Sequence, residues 1–126
     1  MANDKILVIE DNQMNMMLIR DLLQLEGWQV LEAMDAEEGI QTAREQLPAL
    51  ILMDIQLPGM DGLCATRIIN DDPQLKTIPV VALTSYAMQG DMDKAKQAGC
   101  VGYITKPIDT RNFAETLAQY AAGSGI

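Results

Sequence analysis

Polar side chains that could carry out phosphoryl transfer follow four short apolar runs of the sequence. Each run leads into a carboxylate, a hydroxyl or an ammonium group: Ile6–Ile9 into Glu10 and Asp11, Leu50–Met53 into Asp54, Val80–Leu83 into Thr84, and Tyr103–Thr105 into Lys106. If the runs are parallel strands of one sheet, their carboxyl ends share an edge, which is where such sheets bind ligands. The five side chains would then meet in one small cleft.

Three carboxylates at such close range would repel one another, and one of them would keep a raised pKa. A divalent cation would remove this cost, and Mg²⁺ commonly takes one or two carboxylates together with water and phosphate oxygens. Asp54 could serve as both ligand and nucleophile, because a carboxylate can accept a phosphoryl group. Lys106 would offset negative charge on the transferring oxygens.

A two-state response to phosphorylation is also predicted. A phosphoryl group adds negative charge and strong hydrogen-bond acceptors, which the Thr84 hydroxyl could reach. The inward movement of Thr84 would leave space for a half-buried Tyr103 to swing into. Taken singly, these residues have ordinary explanations: Asp11 could cap a helix, and an aspartate at a strand end is usually a turn former. Their joint placement at four strand ends favours the functional interpretation.

The elements that would position these residues alternate along the chain. Apolar runs predict strands, and apolar residues at helical spacing predict helices. The predicted strands are Lys5–Ile9, Trp28–Leu31, Ala49–Met53, Ile78–Leu83 and Val101–Thr105. The predicted helices are Asn12–Glu26, Asp35–Gln46, Leu63–Asn70, Ala87–Ala98 and Asp109–Ala122, with a frayed tail at Gly123–Ile126. This alternation predicts one doubly wound α/β domain over residues 1–126, with a parallel sheet covered by helices on both faces.

Composition excludes several functions. The net charge of −9 argues against binding of nucleic acid or anionic lipid by the chain alone. No histidine is present, so imidazole bases and histidine-bound zinc are excluded, and any metal must be bound by oxygen. No apolar stretch is long enough for a membrane span, and two isolated cysteines, Cys64 and Cys100, indicate a reducing cytoplasm.

Four segments of the chain resemble the receiver domain of bacterial two-component response regulators. They are Val8–Asn12, Leu52–Gly62, Pro79–Thr84 and Gly102–Pro107, and the segment around Asp54 is the most specific of them. The resemblance runs from Lys5 to about Tyr120. Glu10 stands where aspartate is commoner in the family. Thr84–Met88 and Asn15 are similar to the receivers of cell-cycle regulators and hybrid kinases, and a stand-alone receiver is the simplest interpretation.

This resemblance implies a flavodoxin-like fold with strand order 2-1-3-4-5, and a site that works with Mg²⁺. Asp54 would accept the phosphoryl group from a histidine kinase or histidine phosphotransferase. Glu10, Asp11, Asp54 and the backbone carbonyl of Gln56 would bind the metal. Thr84 and Lys106 would hold phosphoryl oxygens, and Tyr103 would be the aromatic switch. The resemblance also implies a cis Lys106–Pro107 bond and a downstream protein docked on the face between the fourth and fifth helices, without enzymatic turnover beyond slow autodephosphorylation.

Four other interpretations stay open at this point. The chain could be a receiver taken from a hybrid histidine kinase or a larger response regulator. It could be a magnesium-dependent phosphohydrolase, although Gln56 stands where such an enzyme needs a carboxylic acid for its leaving group. A flavin-binding electron carrier would need a glycine-rich and hydroxyl-rich phosphate loop, and Glu10–Asn12 would repel a phosphate. A degenerate receiver that binds without phosphorylation would lack part of the residue set.

Overall fold

Strands and helices alternate along the chain, as the sequence predicts. The computed structural model describes residues 4–57, 59–85 and 89–121. The elements in chain order are β1 (Lys5–Ile9), α1 (Gln13–Leu25), β2 (Gln29–Ala33), α2 (Ala36–Gln46), β3 (Leu50–Asp54), α3 (Gly62–Asp71), β4 (Val80–Thr84), α4 (Gln89–Ala98), β5 (Gly102–Thr105) and α5 (Phe113–Ala121). In the described part of the chain, no helix combines the length and apolar character needed to cross a membrane.

The strands form one parallel sheet in the order β2-β1-β3-β4-β5. The register pairs Ile9 with Met53, and Thr84 with Thr105. The chain runs outward from β1 to β2 and then returns across β1 to β3, so the strand order reverses between β1 and β3. Both the doubly wound, flavodoxin-like fold class and the strand order are confirmed. The carboxyl ends of β1 and β3 flank the crevice where this fold binds ligands.

Two apolar cores lie on opposite faces of the sheet. Leu7, Ile51 and Ala82 point to one face, where they pack with residues of α2, α3 and α4. Their chain neighbours Val8 and Leu52 point to the other face and pack with α1 and α5. All five residues of β3 are buried, as are all five of β4. Burial on both faces explains why these strands are continuous apolar runs without alternation.

Several element boundaries differ from the sequence prediction, and local hydrogen bonds account for two of them. Strand β2 continues beyond Leu31 to Ala33, whose carbonyl accepts the Glu10 N–H at 3.1 Å. Helix α5 begins at Phe113 and not at Asp109, because Asp109 forms a separate turn in which its carboxylate accepts the Arg111 N–H at 3.0 Å. The predicted start of the fourth helix at residue 87 and the predicted tail at 123–126 lie outside the described residues.

Candidate functional site

Four strand ends deliver the predicted side chains to one edge of the sheet. Asp54 and Thr84 are the last residues of β3 and β4, and Glu10 and Lys106 directly follow β1 and β5. The Glu10 residue is completely buried, Asp54 is 2% exposed and Thr84 is 3% exposed. Such burial is costly for carboxylates unless they are paired, so the contacts among these groups decide what the site can do.

Lys106 joins the buried carboxylates of Glu10 and Asp54. Its Nζ donates a hydrogen bond to Asp54 Oδ2 at 2.9 Å and another to Glu10 Oε1 at 3.2 Å, and it lies 3.0 Å from Glu10 Oε2. The Lys106 backbone N–H donates to the Thr84 carbonyl at 2.7 Å, which fixes the start of the loop that carries the ammonium group. The Lys106–Pro107 peptide bond is cis, as the sequence resemblance implies.

The two carboxylate oxygens of Glu10 have different contacts. Oε1 accepts hydrogen bonds from the Asn15 side-chain amide at 3.2 Å and from the Asn12 N–H at 3.4 Å. Oε2 is buried and accepts no hydrogen bond from the described residues, although the Lys106 ammonium lies beside it. A buried acceptor without a hydrogen bond is uncommon in folded proteins, and the ion pair with Lys106 is what balances its charge here.

Burial and neighbouring charges shift the ionisation of this cluster. The pKa of Glu10 is raised because the group is buried and because the Asp54 carboxylate lies beside it, and Lys106 opposes this effect only partly. Burial by itself would lower the pKa of Lys106, but the hydrogen bonds to Asp54 and Glu10 outweigh it and raise that pKa. The Glu10 and Asp54 carboxylates together thus exceed by one the charge that the Lys106 ammonium can neutralise, and Asp11 adds a further carboxylate.

The geometry of three carboxylates fits a small divalent cation. Oxygen atoms of Glu10, Asp11 and Asp54 all lie within 4.8 Å of one another, and Asp11 is exposed where the other two are buried. A set of carboxylate oxygens suits a hard cation such as Mg²⁺ or Mn²⁺. Because the buried Glu10 Oε2 accepts no hydrogen bond from the described residues, it has an acceptor position to offer a cation, and the residues present fit a bound metal ion.

The helix-capping role considered for Asp11 is wrong. Asn12 is the N-cap of α1, and its side chain accepts the Asn15 N–H at 3.0 Å. Because the cap is supplied by the next residue, the exposed Asp11 carboxylate is left to the acidic cluster, with an oxygen within 4.8 Å of oxygens of Glu10 and Asp54.

A tight turn after β3 fixes the Asp54 carboxylate. The Gln56 N–H donates to Asp54 Oδ1 at 2.8 Å, and the Ile55 N–H donates to the Leu83 carbonyl at 3.1 Å. Both oxygens of the Asp54 carboxylate therefore accept hydrogen bonds, one from the turn and one from Lys106. Metal binding by the Gln56 carbonyl stays a prediction.

Thr84 and Tyr103 lie on adjacent strands near this edge. The sheet register pairs Thr84 with Thr105, and Tyr103 with Ala82. Tyr103 is partly buried against the core between the sheet and α2, α3 and α4. It also lines a cavity of about 210 Å³ together with Pro107, Asn112 and other residues of the β5–α5 region. Thr84 does not line this cavity, and the movement of Tyr103 into space left by Thr84 stays a prediction.

The sequence reasoning missed the contacts of Asn12 and Asn15 with Glu10. The three-residue spacing of Asn12 and Asn15 indicates a helix N-cap and its partner, but it does not reveal a contact with Glu10. Asn15 was noted only as part of a resemblance, but the structure puts its side chain on the acidic cluster.

A family model and curated relatives both match this chain to response regulators. The model of the response regulator receiver domain matches residues 6–118. Relatives include the polar-differentiation response regulators DivK of Brucella anthropi and Brucella ovis, each 44% identical over 91% of this chain and 94% of the relative.

Solved structures give the same answer. The receiver domain of the sensor histidine kinase PA1611 from Pseudomonas aeruginosa, with a magnesium ion coordinated in its active site cleft, has a TM-score of 0.88 and 34% identity. The alignment covers 97% of this chain and 100% of that one. The chemotaxis response regulator CheY4 of Vibrio cholerae shares the fold, with a TM-score of 0.88, 24% identity, and coverage of 94% of this chain and 98% of that one. The chain belongs to the receiver domain family of two-component response regulators.

Proposed function

We propose that the chain is a phosphorylation switch in which Asp54 accepts a phosphoryl group from the phosphohistidine of a histidine kinase or a histidine phosphotransferase. The observation that carries this proposal is the Asp54 carboxylate itself. It is almost fully buried at a strand end, held on one oxygen by a backbone N–H and on the other by Lys106. A fixed and charge-balanced carboxylate in a cleft is a suitable nucleophile.

The transfer exchanges one bond to phosphorus for another. A carboxylate oxygen of Asp54 forms a bond to phosphorus while the bond from phosphorus to the imidazole nitrogen of the donor breaks. The imidazole leaves with that electron pair and is neutral once it has exchanged protons with solvent. Lys106, already 2.9 Å from Asp54 Oδ2, stabilises negative charge on the transferring oxygens. Thr84, at the end of the adjacent strand, would hold a second phosphoryl oxygen.

We assign the metal site to Glu10, Asp11, Asp54 and the backbone carbonyl of Gln56, with Mg²⁺ as the cation. Support comes from the three carboxylates within 4.8 Å of one another and from the buried Glu10 Oε2 that accepts no hydrogen bond from described residues. The magnesium ion in the PA1611 receiver domain supports the same choice. When bound, the cation supplies the positive charge that one lysine cannot provide against three carboxylates and a phosphoryl group.

We also propose that the phosphoryl group acts through Thr84 and Tyr103 on a protein-docking face formed by α4, β5 and α5. The cavity beside Tyr103 lies between β5 and α5, so a change in the position of this ring would alter that face. The partner is a protein and not a nucleic acid or a membrane, since the net charge is −9. The free thiols Cys64 and Cys100 favour a cytoplasmic location.

The proposed function does not include the hydrolysis of phosphate esters. A phosphohydrolase that uses an aspartyl phosphate needs an acid close to its nucleophile to protonate the leaving group. Gln56, two residues after Asp54, is an exposed amide and cannot supply that proton. The chain accepts a phosphoryl group and loses it slowly to water.

The proposed acceptor is tested with Asp54→Asn. This variant keeps the size of the side chain and removes its nucleophilic charge, so incubation with acetyl phosphate or phosphoramidate and Mg²⁺ is expected to give no phosphorylated protein. Intact-protein mass spectrometry measures the product.

The matched control is Asp61→Asn. Asp61 is an exposed N-cap of α3 that accepts the Cys64 N–H at 2.8 Å, and asparagine caps a helix equally well. The control is expected to be phosphorylated like the wild type. If Asp54→Asn still forms an acyl phosphate to the same extent as the wild type, the assignment of Asp54 is wrong.

A further inference from the structure

We propose that Asn15 is a positioning residue that orients Glu10 for cation binding. This inference rests on the proposed magnesium site and adds to it a residue outside the set of ligands. It concerns the hydrogen bond by which Asn15, in the first turn of α1, contacts Glu10 Oε1 in the acidic cluster.

The two carboxylate oxygens of Glu10 differ in the hydrogen bonds that they accept. Oε1 accepts three hydrogen bonds, from Asn15 Nδ2 at 3.2 Å, the Asn12 N–H at 3.4 Å and Lys106 Nζ at 3.2 Å. Oε2 accepts no hydrogen bond from the described residues, although the Lys106 ammonium lies 3.0 Å from it. The hydrogen bonds on Oε1 therefore fix the rotation of the carboxylate and keep Oε2 available to a cation.

Asn15 differs from an ordinary residue of a capped helix. In a capping box, the third helical residue sends its side chain back to the N–H of the N-cap. Here the N–H of the N-cap, Asn12, donates to Glu10 Oε1, and the Asn15 side chain donates to that same oxygen. The helix cap itself is retained through the Asn15 N–H and the Asn12 side chain at 3.0 Å. The Asn15 side-chain amide thus binds the Glu10 carboxylate, and the helix cap does not need it.

The length of Glu10 makes this arrangement possible. Glu10 is completely buried, so its carboxylate has few alternative positions. The half-buried Asn15 amide reaches this carboxylate from the first turn of α1. An aspartate at position 10 is one methylene shorter and would withdraw the carboxylate from Asn15. The contribution of Asn15 is therefore expected to depend on glutamate at this position.

Residues that orient metal ligands typically contribute about 10-fold to 100-fold to metal affinity. For Asn15→Ala we expect the dissociation constant of Mg²⁺ to rise about tenfold, at the lower end of that range because Lys106 and the Asn12 N–H still hold Oε1. Titration calorimetry with Mg²⁺ alone measures this change without any phosphorylation step. Thermal unfolding in EDTA is expected to be nearly unchanged, since the backbone cap remains.

The experiment is a double-mutant cycle with Asn15→Ala, Glu10→Asp and the combination of both. We expect Asn15→Ala to weaken Mg²⁺ binding when residue 10 is glutamate and to have no effect in the Glu10→Asp background. Asn15→Gln keeps an amide donor and is expected to bind Mg²⁺ with an affinity between those of the wild type and Asn15→Ala. The matched control is Gln24→Ala, which removes an exposed amide near the other end of α1.

Two results would overturn the inference. The first is wild-type Mg²⁺ affinity in Asn15→Ala. The second is an equal loss of affinity in both backgrounds at position 10, because this would show that Asn15 acts through the helix and not through Glu10. Absence of Mg²⁺ binding by the wild type is a different outcome: it would refute the metal site in the proposed function, and Asn15 would lose its role with it.

Discussion

At the scale of single residues, the site depends on buried charges whose types are visible in the sequence but whose contacts are not. The sequence predicted that Glu10, Asp54 and Lys106 would meet, because each follows an apolar run that had to be a strand. It could not predict which oxygen each donor would take. Those contacts depend on side-chain rotation and on the first turn of α1, as the bond from Asn15 to Glu10 shows.

Cys100 gives a prediction at this scale because the structure separates the two thiols. Cys100 is 6% exposed and its Sγ lies 3.9 Å from Thr66 Oγ1, whereas Cys64 is exposed. Burial raises the pKa of the Cys100 thiol from 9.0 to about 11. The folded state therefore favours the neutral thiol. The resulting stabilisation is complete below pH 9.0 and is lost as the pH rises towards 11.

We expect the free energy of unfolding of the wild type, relative to Cys100→Ala, to fall by about 2 kcal/mol between pH 8 and pH 11. Urea denaturation of both proteins across this range measures the difference, and groups shared by the two cancel. Cys64→Ala is the control and should show no such trend. A stability difference between wild type and Cys100→Ala that stays constant with pH would contradict the burial of this thiol.

At the scale of elements, the apolar runs predicted the five strands, with the bounds of β1 correct and those of the other strands displaced by one or two residues. Strands β3 and β4 are buried on both faces, so their sequence pattern is unambiguous. Strand β2 is an edge strand with exposed positions, and its extension to Ala33 depends on pairing with β1, which periodicity does not report. The start of α5 was displaced for a similar reason, because the Asp109 turn competes locally with the helix.

Helix α3 supports the acceptor through a close approach of two backbones, and this gives a prediction. A Cβ on Gly62 would collide with the Asp54 carbonyl oxygen and would lie 2.6 Å from Ile55 Cα. Backbone atoms cannot rotate away, so Gly62→Ala must displace α3 or the end of β3. We expect a loss of about 1–3 kcal/mol in the free energy of unfolding, and slower phosphorylation of Asp54.

Urea denaturation and the rate of phosphorylation by acetyl phosphate measure both effects. Cys64→Ala, at an exposed position of the same helix, is the control and is expected to change stability by less than about 0.5 kcal/mol. Wild-type stability and rate in Gly62→Ala would show that the contact between α3 and Asp54 is not as close as described.

At the scale of the whole molecule, the order of the strands determines that the site exists. Neither composition nor periodicity predicts this order, which came with the family resemblance and is confirmed by the pairing of β1 with both β2 and β3. The parallel direction and the helical layers, by contrast, follow from the alternation of elements. Once the strands are in this order, residues 10, 54, 84 and 106 meet at one edge although they are far apart in sequence.

The central claim is that this edge makes one carboxylate out of 18 acidic residues the phosphoryl acceptor. Borohydride reduces an acyl phosphate to an alcohol, so treatment of the freshly phosphorylated protein marks the acceptor covalently. Peptide mass spectrometry then locates the reduced residue. The account predicts reduction at Asp54 alone, dependent on Mg²⁺, and none in Asp54→Asn. Reduction at Asp11, at Glu10 or at a surface carboxylate in place of Asp54 would contradict it.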